Sequence, residues 1–220
     1  MIEIREYGSD LIVANVEAEP DWEYEVQGAT HIRVSVPADS EESNALLSHG
    51  FVFADRMYDV SIKLAGNRTD YERMVRIRPE LTSEHRQEIK RIAHNSFTSD
   101  RRFHVGERLD QTVANQVMDR WIDELKEVYV CRYKEEIAGF IALKQTDDKT
   151  AYIHMAAVEE KYRPAGIAVS MYAYIVDECR KKGLRAVKGY ISSRNIPVMN
   201  LYAFLGGSFE RATDVFTKEV

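Results

Sequence analysis

The chain has 220 residues, 45% of them hydrophobic, and a formal net charge of −6: enough for one large domain or two small ones around a buried core. That acidic balance, with no long basic run, argues against a nucleic-acid binder, and no stretch approaches the ~20 apolar residues of a membrane span. Cys131 and Cys179 share no metal or redox spacing, the histidines lack metal-site spacing, and the charged start MIEIREYGSD is unlike a signal peptide, so a cytoplasmic chain without a metal is expected.

HIRVSV (His31–Val36) and MYDVSIKL (Met57–Leu64) read as strands on either side of a helix near Glu41–Ser48. Ala65–Arg73 is polar, holds Gly66 and Asn67, and reads as a linker. MVRIRP follows as a period-two strand, then a helix from about Ser83, with Gln87 nearby. Phe97–Gln111 shows neither period and reads as a loop of a length that is often functional. In Thr112–Lys126, Val113, Val117, Trp121 and Leu125 recur every four residues, one apolar stripe of a helix. Three strands come next, VYVCRY, IAGFIAL and TAYIHMAAV. A helix Gly166–Lys182 then stops at Gly183, in the place of a left-handed cap. A strand (Ala186–Ile191), a helix (Pro197–Leu205), the stop Gly206-Gly207 and a final hairpin-like pair of strands complete the chain. A meander followed by strand–helix crossovers predicts an α/β (α+β) chain with a mixed central sheet flanked by helices.

A weak repeat runs through this order. Setting Gly50 on Gly206 aligns NALLSHGFVFADRMYDVSIKL with NLYAFLGGSFERATDVFTKEV, each preceded by a strand. Two copies are too few for a solenoid and read instead as a truncated half-domain, 1–66, pairing with a complete domain, 74–220. The first copy has Leu46 where the second has Tyr202, so only the second can carry phenol chemistry.

The segment AAVEEKYRPAGIAVS joins a strand to a helix through Arg163-Pro164-Ala165-Gly166-Ile167-Ala168. Small residues let backbone approach a ligand, the first N–H groups of a helix attract phosphate oxygens, and Arg163 adds a cation at the mouth. An ordinary tight turn would use the same residues, and one glycine is a weak signal. Asn195 can cap the helix ahead of Pro197 or offer its amide to a ligand. Tyr202 follows two helical turns later and can face the same side, ~10 Å along the axis. It also extends the stripe Val198–Leu201–Leu205, which packing alone would explain. Arg101, Arg102, Phe103 and His104 cluster in the irregular loop, where guanidinium groups could hold phosphate and a ring could stack. A solvated basic loop with one buried Phe is the other reading.

The strand ending in Val158, then Tyr162 and Arg-x-x-Gly-x-Ala opening a helix, resembles the acetyl-CoA diphosphate loop of the GNAT acetyltransferases. Asn195 to Gly207 resembles that family's closing motif, an Asn, a helix carrying Tyr, then a Gly, with Gly207 where the family usually has Phe. The two matches cover roughly residues 74–220, and together they say more than either alone. The resemblance implies a GNAT fold, acetyl-CoA as cosubstrate, and residues 1–66 as a half-domain similar to the C-terminal part of that fold. It implies that Met155, Ala156 and Val158 hold the pantetheine arm through their backbone. It further implies that Arg163, Pro164, Ala165, Gly166, Ile167 and Ala168 grip the diphosphate, that Asn195 touches the cofactor, and that Tyr202 is the catalytic acid.

Over its whole length the chain is also similar to the dTDP-fucosamine acetyltransferases of that family, through the His-Gly-Phe that ends the half-domain, the loop FTSDRRF and Trp121-Ile122. Those enzymes acetylate the 4-amino group of a nucleotide-linked deoxyamino sugar. The likeness implies a small amine acceptor of that class, held by Arg102, Phe103 and His104, with Asp55 facing the amine. A solvated turn acid is the other reading of Asp55. Competing functions are acetylation of an antibiotic, polyamine or protein terminus, or acetyl-CoA binding without catalysis. A phenol near pKa 10 and a thiol near 8.5 make full proton transfer uphill by about 2 kcal/mol. Tyr202 must therefore donate as charge develops on sulfur, or have its pKa lowered locally. The terminal strands could also pair a second copy into a homodimer.

Overall fold

The computed structural model describes residues 2–7, 11–16, 28–66, 75–79, 81–98, 111–147 and 149–220. In chain order its elements are β1 (Ile2–Tyr7), β2 (Leu11–Val16), β3 (His31–Pro37), α1 (Glu41–Ser48), β4 (Val52–Lys63), β5 (Arg76–Arg78), α2 (Ser83–Ser96), α3 (Gln111–Glu124), β6 (Glu127–Tyr133), β7 (Glu136–Asp147), β8 (Thr150–Val158), α4 (Ile167–Lys181), β9 (Ala186–Ser192), α5 (Ile196–Phe204) and β10 (Ser208–Glu219). The strands form one mixed sheet in the order β1-β2-β3-β10-β4-β9-β8-β7-β6-β5. Helices α2 and α3 cover one face, where Ile89, Ile92, Val117 and Met118 meet Phe140 and Met155. Helices α4 and α5 cover the other, around Ile141, Met171, Ile175, Val187 and Leu201. Full burial of each such side chain contributes roughly 1.5–3 kcal/mol.

Several expected elements differ in detail. β1 and β2 have no counterpart in the sequence reading; IEIREY carries three charges, and its strand state comes from pairing with β2. β10 is one long strand where two were expected, and β4 begins at Val52, ahead of the expected Met57; in each, a register irregularity shifts the alternation of inward residues without ending the ladder. Helix α2 starts at Ser83, as expected. Thr82 caps it, and His85 reaches back to close a capping box.

The sheet has an internal two-fold relation about the pair Thr213↔Met57. Ser208↔Ser61 at one end of the β4–β10 ladder answers Thr217↔Val52 at the other, and the two irregularities fall symmetrically between. β3 flanks β10 as β9 flanks β4. Outside them, the parallel ladder Val13↔His31 to Val16↔Val34 answers Thr150↔Ala186 to Ile153↔Gly189. The connection between the parallel strands is shorter in the first half, 17–30 against 159–185. β4 lies between β10 and β9, so strands of both halves interleave. β10 is thus interior and offers no edge to a second copy; among the described residues the edges are β1 and β5. Among the described residues, no helix is long and apolar enough to cross a membrane.

Candidate active site

β8 and β9 run side by side only from Thr150↔Ala186 to Ile153↔Gly189. β8 continues along β7 through Met155↔Ala142, Ala156↔Ile141 and Val158↔Gly139, while β9 continues along β4 to Ser192. A cleft therefore opens between them. On its β9 side the backbone of β8 from His154 to Val158 has no ladder partner among the described residues. Such an edge can hydrogen-bond an extended chain laid along it. A β-bulge marks the head of the cleft: the β7 register passes from Leu143↔Ile153 to Ala142↔Met155, leaving His154 out of the ladder.

At its other end β8 runs into the small-residue turn. Glu159 caps a 3₁₀ turn over Glu160–Ala165, and Gly166 takes the left-handed conformation at φ 69°, from which α4 starts. No side chain caps α4, so its first N–H groups are left for another acceptor. Ile167 anchors the turn in the core, Arg163 and Pro164 are exposed, and Ala165, Gly166 and Ala168 are half-buried. Arg163 donates from Nε to the Val158 carbonyl and from Nη2 to Ser96 Oγ, both at 3.2 Å, fastening the turn to β8 and α2. The buried Glu159 carboxylate is paired with Arg91, which weakens its repulsion of an anion held nearby.

Tyr202, on α5, is fully buried and meets Tyr172 of α4 edge-on, with ring centroids 5.5 Å apart. Its hydroxyl points at Gly189, the last β9 residue paired with β8; a Cβ there would stand 2.2 Å from the phenolic oxygen. The glycine is thus required by close approach. In the symmetric half the equivalent pair is Val34 and Leu46, both 0% exposed: valine fills the space, and leucine has no hydroxyl to place there. The Tyr202 hydroxyl is buried without a hydrogen-bond partner, and that of Tyr172 is close enough to influence it. Burial first, then the phenols of Tyr172 and Tyr152, push the Tyr202 pKa well above the ordinary tyrosine value. Local lowering of that pKa, one of the two routes expected from the sequence, does not occur here, because apolar surroundings favour the neutral phenol.

Asn195 caps α5: its side-chain oxygen accepts from the Val198 N–H at 3.3 Å, a bond that does not use its amide nitrogen. Asp55 is not a solvated turn acid. It lies inside β4, 1% exposed, with Oδ1 accepting from the Arg56 N–H at 2.8 Å and Oδ2 buried without a partner. It shares a face with Met57, opposite α5, on the strand beside β9. His154 escaped the sequence reading, where the available cue was a lone imidazole in the apolar run TAYIHMAAV. It is exposed on the bulge, with its ring 6.1 Å from the Trp121 indole of α3. Arg101, Arg102, Phe103 and His104 lie outside the described residues. Among the described residues no group of His, Cys, Asp and Glu is arranged to hold a metal.

Residues 87–206 match the model of the acetyltransferase (GNAT) family. No curated protein sequence matches the chain. Solved structures extend the likeness in fold. A GCN5-related N-acetyltransferase from Sphaerobacter thermophilus matches over 99% of this chain and 75% of its own, at a TM-score of 0.67 and 14% identity. A functionally unknown conserved protein from Staphylococcus epidermidis matches over 97% and 86%, at 0.69 and 17%. A fungal multi-domain GH3 β-N-acetylglucosaminidase, described as holding a GCN5-related glucosamine N-acetyltransferase region, matches over 99% and 31%, at 0.67 and 11%. Identities this low speak for the fold alone, the GNAT fold expected from the sequence. The family model covers more than half of the chain and contains the bulge, the turn at Gly166, Gly189 and Tyr202. The chain belongs to the GNAT family of N-acetyltransferases, which take their acetyl group from acetyl-CoA.

Proposed function

We propose that this enzyme acetylates the amino group of a small acceptor, a nucleotide-linked deoxyamino sugar, with Tyr202 as the acid. The observation that carries the reading is the Tyr202 hydroxyl: buried, without a hydrogen-bond partner, and placed where β8 and β9 part. From Ile153 to Val158 the edge of β8 rises about 17 Å, room for an extended arm. Met155, Ala156 and Val158 would hold the pantetheine through their backbone. The turn from Arg163 to Ala168 would hold the diphosphate, and Asn195 would add its amide nitrogen. Acetyl-CoA supplies an activated acyl carbon and a thiolate leaving group.

In the transfer, a C–N bond forms as the C–S bond breaks; the amine nitrogen loses one proton and sulfur gains one. Tyr202, kept neutral by burial, hydrogen-bonds the sulfur as its charge grows and passes it the phenolic proton. His154, exposed on the bulge, takes the amine proton on the opposite face through an imidazole nitrogen. Asp55 orients the amine through Oδ2, the oxygen left without a partner. Arg102, Phe103 and His104 would hold the nucleotide, and residues 1–66 would serve as a half-domain that walls the acceptor side. The amino-sugar acceptor is supported by the whole-length resemblance described above, and the fungal glucosamine N-acetyltransferase region is compatible with it.

The test is an acceptor screen that follows free thiol release from acetyl-CoA, with dTDP- and UDP-linked amino sugars beside polyamines, aminoglycosides and peptide N-termini. Turnover confined to another amine class would remove the sugar. Wild-type turnover in Tyr202→Phe would remove the acid.

A further inference from the structure

The outer edge of the sheet holds a second pocket that acetyl transfer does not use. It is a cavity of about 160 Å³ on the α2 face, lined by Arg76 and Arg78 of β5, Val130 and Arg132 of β6, and His85 of α2. Arg76↔Arg132 and Arg78↔Val130 are directly opposite in the ladder, so the three arginines leave the sheet on one face. Like charges opposite each other in a ladder repel, and this cluster stands in a chain of net charge −6. Glu135 meets two of them: its carboxylate pairs with Arg76 at 3.2 Å and its carbonyl accepts from Arg132 Nη1 at 3.0 Å. Arg78 has no carboxylate partner among the described residues.

His85 adds an independent observation. It is 6% exposed, and two donors converge on it: the Thr82 N–H at 3.4 Å from Nδ1 and Arg132 Nη2 at 3.1 Å from Nε2. A neutral imidazole has one acceptor nitrogen, so one of these donors faces an atom that cannot accept from it. What the pocket lacks is an acceptor.

We propose that this pocket binds a small oxyanion of the phosphate or sulfate class. Guanidinium forks match such oxygens bidentately, and the volume admits one ion with a few waters at about 30 Å³ each. An oxyanion there would accept from Arg78 and Arg132, relieve the donor conflict at His85, and tie the short edge strand β5 to α2. β6 lies two strands from β8 in the sheet, so the pocket is separate from the turn at Gly166.

The test is thermal melting of the full chain with coenzyme A saturating, so that the Gly166 turn is filled. Inorganic phosphate is titrated against chloride at matched ionic strength. Phosphate should raise the melting midpoint saturably where chloride does not, and Arg78→Gln and Arg132→Gln should each weaken the apparent phosphate affinity about tenfold. A sugar phosphate that acts more tightly than inorganic phosphate would identify the anion as part of a larger ligand; equal action would identify the free ion. No phosphate-specific shift, or the same shift in wild type and both variants, overturns the proposal. The comparison does not rest on the acetyl-transfer reading: were coenzyme A not to bind, phosphate response in wild type against the two variants would still decide it.

Discussion

Replacing Tyr202 with Phe should move stability and turnover in opposite directions. The ring fills the space between Tyr172 and Gly189 in either case, so the substitution removes one oxygen and little else. That oxygen is buried without an aligned partner, a condition that costs about 1–3 kcal/mol. The variant is therefore expected to be more stable by about 1–2 kcal/mol. For a chain of this length that raises the melting midpoint by roughly 3–6 °C. Loss of a proton donor to the departing sulfur should lower kcat by about 10²–10⁴-fold, while acetyl-CoA affinity changes less than about twofold because the turn and β8 are untouched. Melting, thiol-release kinetics and acetyl-CoA titration read the three quantities. A lower midpoint with full turnover would mean that the hydroxyl is satisfied and merely structural, which refutes both its burial cost and its role as the acid.

Gly189→Ala should destabilise by about 1–3 kcal/mol, since its Cβ meets the phenolic oxygen at 2.2 Å. Combined with Tyr202→Leu, Gly189→Val copies the Val34–Leu46 pair and should recover most of that loss without recovering turnover; a cycle with no coupling would refute the close approach. His154→Gln should abolish the acidic limb of the kcat/KM–pH profile and leave melting unchanged; an unaltered limb rules the imidazole out as base. Arg56→Met should lower stability by about 3–5 kcal/mol in urea, because Asp214, 3% exposed, would lose donors at 2.7 and 3.0 Å; a loss under about 1 kcal/mol would show the pair to be dispensable. Burial pushes the Cys131 thiol up to about 12 and that of Cys179 up to about 11. Raised folded values mean that stability is intact below the unfolded thiol pKa near 8.5 and falls as the unfolded chain ionises first, by about 1.4 kcal/mol per pH unit for each thiol. Urea melts from pH 8 to 11 on Cys131→Ala/Cys179→Ala should show a shallower decline, and an equal slope would contradict the burial argument.

Local physics carried much of this protein in the residues themselves. The four-residue spacing of Val113, Val117, Trp121 and Leu125, the stop at Gly183 and the small-residue turn ahead of Ile167 all act within a few residues, and each has its place in the structure. The repeat around Gly50 and Gly206 was legible for the same reason, since both copies face the same strand–helix–strand demands. What happens between distant segments was not. β1 and β2 exist because they pair, and β4 slips between β10 and β9 because a ladder needs partners that sequence order does not name. Burial of Asp55 depends on a strand starting at Val52, earlier than its own pattern suggests. The parting of β8 from β9 at Gly189 and the bulge at His154 are properties of register between strands. A hydrogen-bonding ladder is a relation between two chains of atoms, and only the folded chain fixes which atoms face each other.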